Sequence, residues 1–342
     1  MKHVPQNAPL ISVVLPIHNA ASSIGATLQR LINQTYSNLE IICVDDGSTD
    51  HTLAILEVFR KSDARIRIIS TPNQGAYLAR CVGLDKARGR FVYFCDADDT
   101  PNLQIIEKLV CAAISSDADI AVCAYTRNKY GIAVGTEMKR RGTRTISAQS
   151  GWLASVNTAL WNKLISTSLA KQYTRQRNPP RIMEDALFLF SIYPHAKKMT
   201  FVEDALYEYE TDDSSSMSKL TDEELVQLIC CWKSIRDSCE MSNSTFVHVI
   251  DWAAFIHLGI SAKVSLLNCK NGSKRNFEAI DNSLICDFPS FSSGSFSSFL
   301  YAIKNSSLPS WVALKCQKAG CLSFLLRAYL YLSTHLKIDK RW

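Results

Sequence analysis

Short apolar runs alternate with amphipathic patterns over the first 125 residues. Five of the apolar runs predict buried strands, at residues 11–15, 39–44, 66–69, 91–94 and 120–124. Between them, apolar residues recur at helical spacing, which predicts helices near residues 24–32, 53–59, 75–87 and 102–114. Strands that alternate with helices favour right-handed crossovers, and therefore a mostly parallel α/β sheet with helices on both faces.

The pattern changes after residue 125. Four segments are predicted there: a hairpin or mobile loop at 126–150, helices around a proline break at 151–193, one or two strands at 201–210, and helices alone after 216. We therefore expect two domains, an α/β domain of residues 1–215 and an all-helical C-terminal region of residues 216–342.

The composition indicates a soluble globular protein. Hydrophobic residues make up 47% of the 342 residues and charged residues 20%, which excludes a disordered or collagen-like chain. The net charge of +6 does not by itself indicate a nucleic-acid partner, and we expect none. The 12 cysteines form no Cys-x-x-Cys pair, so they predict buried thiols in a reducing compartment rather than a zinc site. Without a signal peptide or an apolar run of about 20 residues, we expect a cytoplasmic protein or one attached to a membrane surface.

Polar motifs directly follow three of the predicted strands, at residues 16–19, 45–50 and 96–99. Because ligands bind at the carboxyl ends of the strands in open α/β sheets, we expect all three motifs to face one crevice. The motif at 45–50 supplies caps for the next helix, and one of its carboxylates is left to accept a hydrogen bond from a nucleobase or a ribose.

The acidic motif at residues 96–99 carries the clearest chemistry. Crowded carboxylates raise the energy of their ionised forms, and a hard divalent cation would relieve this repulsion. We interpret Asp96 and Asp98 as ligand-binding residues, whereas Asp99 is well placed to cap the following helix.

Arg80 and the pair Glu184-Asp185 each have a chemical and a structural interpretation, and Trp161 has a chemical one. Arg80, after Asn73-Gln74-Gly75, either reaches a phosphate or a base, or lies on a solvated helix surface. Glu184 and Asp185 either favour a helix start through its dipole or supply a general base. Trp161 has a ring that could stack on a sugar.

In this order, the motifs resemble those of the family 2 glycosyltransferases, which have the GT-A fold. The motifs that carry the resemblance are Pro16-Ile17-His18-Asn19, Asp45-Asp46-Gly47-Ser48-Thr49-Asp50, Asn73-Gln74-Gly75 with Arg80, Asp96-Ala97-Asp98-Asp99, Trp161-Asn162-Lys163-Leu164 and Glu184-Asp185. The resemblance covers residues 9–215 and implies a GT-A domain, a Rossmann-like sheet flanked by helices, followed by the helical region. It also implies an inverting transferase with a nucleotide-sugar donor, most often a UDP-sugar.

The resemblance further implies the role of each motif residue. Contacts with the donor nucleotide are implied for Pro16, His18, Asn19, Asp46, Asn73, Gly75, Arg80, Asp96 and Ala97. The resemblance implies that Asp46 contacts the uracil imide. It also implies that Asp98, together with Asp96, holds Mn²⁺ or Mg²⁺. Asp185 is the implied general base, and Trp161 and Glu184 shape the acceptor or donor-sugar site. One departure is Glu210, where members of the family often have an Arg or His that supports the diphosphate.

The acceptor and the location are predicted more coarsely. A glycan or lipid-linked acceptor of surface polysaccharide synthesis, in capsule or lipopolysaccharide, is an extrapolation from the family. Basic residues flank the presumed acceptor side and either attract an anionic acceptor or form a solvated loop: Lys139, Arg140, Arg141, Arg144, Arg175, Arg177 and Arg181. The basic, apolar C-terminus either lies on the inner face of the cell membrane or packs as a helical subdomain.

Other classes fit the sequence less well. A nucleotidyltransferase would carry a glycine-rich basic loop after the first strand, and a dinucleotide dehydrogenase would carry Gly-x-Gly-x-x-Gly there. A catalytically inactive module that binds a sugar nucleotide or a protein partner is the alternative that remains. Donor hydrolysis distinguishes it from the enzyme.

Overall fold

The computed structural model describes residues 8–174, 179–181, 183–211, 220–263, 266 and 274–288. Their contacts define two compact units. The first contains residues 8–146, 158–174 and 191–211, and the second contains the remaining described residues. The basic C-terminus, Arg175 and Arg177 lie outside the described residues.

The first unit is built on one mixed sheet of nine strands. The strands are β1 (Ile11–Ile17), β2 (Leu39–Asp46), β3 (Ile66–Thr71), β4 (Phe91–Phe94), β5 (Ile120–Lys129), β6 (Ile132–Glu137), β7 (Gly142–Thr145), β8 (Lys163–Ser166) and β9 (Lys198–Thr211). Their order is β3-β2-β1-β4-β8-β5-β9-β7, with β6 paired to β5. Strands β3, β2, β1 and β4 are parallel, β8 runs antiparallel between β4 and β5, and β9 is parallel to β5. The carboxyl ends of β1 to β5 and β9 therefore meet at one edge.

Helices cover the sheet because its strands are apolar on both faces. The helices of this unit are α1 (Ile24–Ile32), α2 (Thr52–Ser62), α3 (Ala76–Lys86), α4 (Ile105–Ser116) and α5 (Thr167–Tyr173). Val13 and Leu15 belong to a buried cluster with residues of α1 and α4. On the other face, Gly83 of α3 lies so close to Val14 that a Cβ there would be 2.4 Å from its Cγ1 atom. A helix without a side chain at this position can lie directly on β1.

Strands β1 to β5 confirm the sequence prediction, and β4 matches it residue for residue. The helical prediction for 151–193 is wrong at residues 163–166, which form β8. Of the two predictions for 126–150, the hairpin is confirmed: β5 continues to Lys129 and turns into β6. Residues 198–211 form a single strand.

The second unit is helical in its described part. It contains the start of α6 (Glu184–Ile192), then α7 (Asp222–Asn243), α8 (Val247–Ala254), a π-helix (Phe255–Ala262) and α9 (Lys274–Asp287). The predicted C-terminal helical region is thereby confirmed for its described residues, 220–263, 266 and 274–288. Thr221 begins α7 with a capping box, since its side chain accepts from the Glu224 backbone and Glu224 accepts in return.

Among the described residues, one helical stretch is long and apolar enough to cross a membrane. It covers Asp222–Ala262, and 78% of its apolar window is buried inside the protein. A buried core helix passes the same test of length and composition, so this stretch is weak grounds for a membrane span.

Candidate active site

The loops after β1 and β2 are joined by hydrogen bonds through Asn19. Its backbone has a φ of 51°, in the left-handed region that Asn tolerates. Its backbone N–H donates to Ser48 Oγ at 3.0 Å, and its Oδ1 accepts from the Thr49 N–H at 2.8 Å. Asn19 therefore fixes the two loops to each other through Ser48 and Thr49, which belong to the motif predicted to supply caps for the next helix.

His18 joins the same loops to the loop after β3. Its Nδ1 lies 2.9 Å from the carbonyl oxygen of Asp46 and donates to it, which leaves Nε2 as an acceptor. The Asn73 amide lies 3.0 Å from Nε2. Because His18 and Asn73 are both exposed, they present imidazole and amide groups at the carboxyl edge of the sheet.

Asp46 is buried, with 3% exposure, and its carboxylate holds the loop between β3 and α3. It accepts from the Thr71 hydroxyl at 3.1 Å, from the Gln74 N–H at 3.0 Å and from the Gly75 N–H at 2.8 Å. The Gln74 N–H also lies 3.2 Å from the second carboxylate oxygen, so these three donors make four contacts and use about all the acceptor positions of the carboxylate.

Gly47 allows the loop between β3 and α3 to approach the end of β2 closely. Its φ is +72°, and a Cβ there would lie 2.7 Å from the backbone nitrogen of Asn73. A residue with a side chain at position 47 would therefore separate the two loops that Asp46 holds together.

Arg80 and Asp96 form an ion pair next to these loops. Arg80 is 4% exposed and its Nη2 lies 2.9 Å from Asp96 Oδ1, while the Asp96 side chain is 36% exposed. The alternative that Arg80 lies on a solvated helix surface is therefore wrong. The Arg80 guanidinium orients one carboxylate oxygen of Asp96 and leaves the rest of that carboxylate open to solvent.

The remaining acids of the motif have different environments. Asp98 is exposed, whereas Asp99 is only partly exposed. Burial, and then the charges of Asp96 and Asp98, raise the pKa of Asp99 to about 8. The prediction that Asp99 caps the next helix is wrong, because α4 begins after Gln104. Among the described residues, the Oδ2 atom of Asp99 is a buried atom without a hydrogen-bond partner.

Ala97 is held in this loop through its backbone. The Thr27 hydroxyl of α1 donates to the Ala97 carbonyl at 3.0 Å. The acidic loop is thus fixed from two directions, by α1 through Ala97 and by α3 through Asp96.

Four aromatic rings cluster at the carboxyl ends of β5 and β9. Trp161 stacks on Tyr207 with ring centroids 4.1 Å apart, lies nearly parallel to Tyr209 at 5.3 Å, and meets Tyr125 edge-on at 4.9 Å. Trp161 is only 7% exposed, whereas Tyr209 is 37% exposed. Tyr209 is therefore the most exposed residue of this cluster, and Trp161 stacks against its ring.

Hydrogen bonds of Asn162 and Lys163 fix the segment before β8. The sequence analysis gave these two buried polar residues no role. The Asn162 amide donates to the Cys123 carbonyl at 2.8 Å, and Lys163 Nζ donates to the Ala159 carbonyl at 2.6 Å and to Asn162 Oδ1 at 2.8 Å. Both residues are fully buried. Their position directly after Trp161 is the only sequence signal for this role.

Glu210, the departure from the family pattern, has a structural contact. Its Oε1 accepts from the Gly131 N–H at 2.9 Å and so ties the β5–β6 turn to β9.

Glu184 and Asp185 begin α6 in the second unit. Both are partly exposed, and Met183 before them has a φ of 58°. The part of α6 that belongs to the second unit ends at Phe190. This ring packs against Trp232, with ring centroids 5.4 Å apart, and against His257 at 6.0 Å. Burial lowers the pKa of His257 to about 4, so this ring is a neutral packing element.

The structure brings all nine residues predicted to contact the donor nucleotide, and Asp98, to one edge of the first unit. At the carboxyl edge of the first unit lie Pro16, His18, Asn19, Asp46, Asn73, Gly75, Arg80, Asp96, Ala97 and Asp98. Trp161 is in the same unit, in the buried aromatic cluster. Glu184 and Asp185 belong to the second unit.

Comparison with known proteins identifies related sequences and folds. A model of the family described as Glycosyl transferase family 2 matches residues 12–194. EpsH of Bacillus subtilis (strain 168) is 26% identical over 294 residues, which cover 83% of this chain and 85% of EpsH.

Two solved structures share the fold. Residues 1–349 of S. aureus TarS, in complex with UDP-GlcNAc, superpose with a TM-score of 0.70 at 18% identity, covering 94% of this chain and 91% of that one. The mannosyltransferase PcManGT from Pyrobaculum calidifontis, in complex with GDP-Man and Mn²⁺, gives a TM-score of 0.54 at 14% identity, covering 96% and 85%. The first unit therefore has the GT-A fold, and the chain belongs to the family 2 glycosyltransferases.

Proposed function

We propose that this glycosyltransferase inverts the anomeric centre of a sugar that it moves from a UDP-sugar to a hydroxyl group of a glycan or lipid-linked acceptor. The proposed setting is the synthesis of a surface polysaccharide such as a capsule or lipopolysaccharide, in the cytoplasm or at the inner face of the cell membrane. The observation that carries the proposal is the Arg80–Asp96 pair beside the exposed Asp98, at the edge where His18, Asn73 and the Asp46-bound loop converge.

The nucleoside is proposed to bind among the loops after β1, β2 and β3. His18 and Asn73 offer polar groups there, and Asp46, whose carboxylate holds the loop between β3 and α3, is proposed to take the N–H of a uracil imide. The UDP-GlcNAc complex of TarS supports a nucleotide-sugar donor of this type.

Mn²⁺ or Mg²⁺ is proposed at Asp96 and Asp98. Among the described residues, no three His, Cys, Asp or Glu side chains form a group that could hold a metal alone. Two carboxylates nevertheless fit these cations, which commonly take one or two protein carboxylates and complete their shell with substrate phosphates and water. When bound, such a cation supplies charge neutralisation for a departing diphosphate. Arg80 orients Asp96 for this task, and the Mn²⁺ complex of PcManGT supports it.

Asp185 is proposed as the general base. It would take the proton of the acceptor hydroxyl as the oxygen attacks the anomeric carbon from the side opposite the diphosphate. Glu184 and Trp161 are proposed to shape the acceptor or donor-sugar site, Trp161 through the cluster that it supports.

Donor hydrolysis tests the proposal without knowledge of the acceptor. We expect UDP release from at least one of UDP-glucose, UDP-galactose and UDP-N-acetylglucosamine when Mn²⁺ is present, and loss of release with EDTA. A thermal shift by these donors without any release of UDP would favour the alternative, an inactive module that binds a sugar nucleotide. Absence of both binding and release would favour a module that binds a protein partner.

A further inference from the structure

We propose that Tyr209 is the platform on which a pyranose ring of the acceptor binds. This inference rests on the proposed transferase function and names the part of the site that holds the acceptor sugar. It follows from the exposure of Tyr209, the rigidity of its surroundings and its place along the sheet.

Tyr209 exposes an aromatic surface that its neighbours hold in a fixed orientation. Tyr209 is 37% exposed, and its ring lies nearly parallel to that of Trp161 at 5.3 Å and meets Tyr125 edge-on at 6.4 Å. These are preferred aromatic geometries, so the ring has little freedom to rotate away. A rigid aromatic face is suited to the C–H groups on one side of a pyranose, because little conformational entropy is lost when they meet.

The supports of this ring are themselves fixed to the sheet. Trp161 is followed by Asn162 and Lys163, whose hydrogen bonds to β5 and to Ala159 hold the segment in place. Tyr209 itself lies in β9, paired with Arg127 of β5. The platform is therefore built on strands rather than on a free loop, which favours a defined ligand geometry.

The platform borders the acidic loop at the acceptor end of the site. The Asn102 N–H, at the end of that loop, donates to the carbonyl of Leu206 at 3.2 Å, three residues before Tyr209. The loops proposed for the nucleoside follow β1, β2 and β3, and the acidic loop follows β4. In the sheet, β8, β5 and β9 come next, so β9 lies roughly 14 Å beyond β4 at ~4.8 Å per strand. A donor that runs from β2 to β4 therefore leaves the aromatic cluster to the acceptor.

Binding of simple glycosides to the full chain tests this inference. The probes are methyl β-D-glucopyranoside, methyl β-D-galactopyranoside and methyl N-acetyl-β-D-glucosaminide, with UDP and Mn²⁺ present, observed by saturation-transfer NMR. We expect at least one glycoside to bind, and Tyr209→Ala to weaken that binding by about tenfold, the loss expected for one aromatic contact. Tyr209→Phe retains the ring and should bind within about twofold of the natural chain, since the hydroxyl is not the contacting group.

Tyr130 supplies the matched control, because it is a 67% exposed tyrosine outside the cluster. Tyr130→Ala should leave glycoside binding unchanged. Absence of binding of all three glycosides to the natural chain would overturn the inference, as would undiminished binding in Tyr209→Ala. UDP release from a donor, measured separately, would persist in the first case if the transferase function is correct, so the two failures are distinguishable.

Discussion

Replacement of Asp185 by Asn should abolish sugar transfer while UDP binding is retained. Asn preserves the size of the side chain but cannot take a proton from the acceptor hydroxyl. A general base contributes roughly 10²–10⁴-fold to the rate, so kcat should fall by this factor. Calorimetry with UDP and Mn²⁺ should give a dissociation constant within about twofold of the natural one, because a proton acceptor for the second substrate adds little to binding of the nucleotide.

Asp237→Asn is the matched control for this variant. Asp237 is an exposed acid on α7, in the same unit as Asp185, and the substitution removes the same charge. It should change neither kcat nor UDP binding. Transfer at an undiminished rate in Asp185→Asn, or UDP binding that disappears in it, would refute the assignment of the base.

Asp98→Asn should remove the dependence of UDP binding on Mn²⁺. Asp98 is the exposed carboxylate of the acidic loop, whereas Asp96 shares its charge with Arg80. An amide is a neutral and weaker ligand for a hard cation than a carboxylate. UDP binding in Mn²⁺ should therefore weaken by about tenfold or more and approach the value measured in EDTA.

The control for this second variant is Asp117→Asn, in the same unit. The Asp117 side chain is 89% exposed and its backbone is left-handed, a conformation that Asn also tolerates. UDP binding should respond to Mn²⁺ in Asp117→Asn as it does in the natural chain. An unchanged response in Asp98→Asn would contradict the metal site.

The apolar pattern predicts the parallel half of the sheet well, because its strands are buried on both faces. Phe91–Phe94 is a short apolar run between a basic turn and the acidic motif, and no other element competes for it. Strand β8 was not predicted, because it begins with Lys163, whose charge is typical of a surface. Only the folded chain supplies the Ala159 carbonyl and the Asn162 amide oxygen that satisfy the buried ammonium group.

In the candidate site, too, the sequence pattern predicted where residues lie but not which partners they have. The position of the polar motifs after strands predicted that they share an edge, which follows from parallel topology alone. The partners of individual side chains did not follow from the pattern. Asp46 holds Gln74 and Gly75, which are 28 and 29 residues away, and Arg80 is buried against Asp96 rather than solvated. Trp161 was predicted to shape the acceptor or donor-sugar site, and the pattern did not show that the folded cluster buries it and exposes Tyr209 beside it.

The configuration of the transferred sugar tests the central proposal most directly. A single displacement, with one base on the acceptor side and the diphosphate leaving on the other, inverts the anomeric carbon. Proton NMR of the first product formed from an α-linked UDP-sugar should therefore show the coupling constant of a β-glycoside. A product with the α configuration would contradict this mechanism and the role of Asp185 in it.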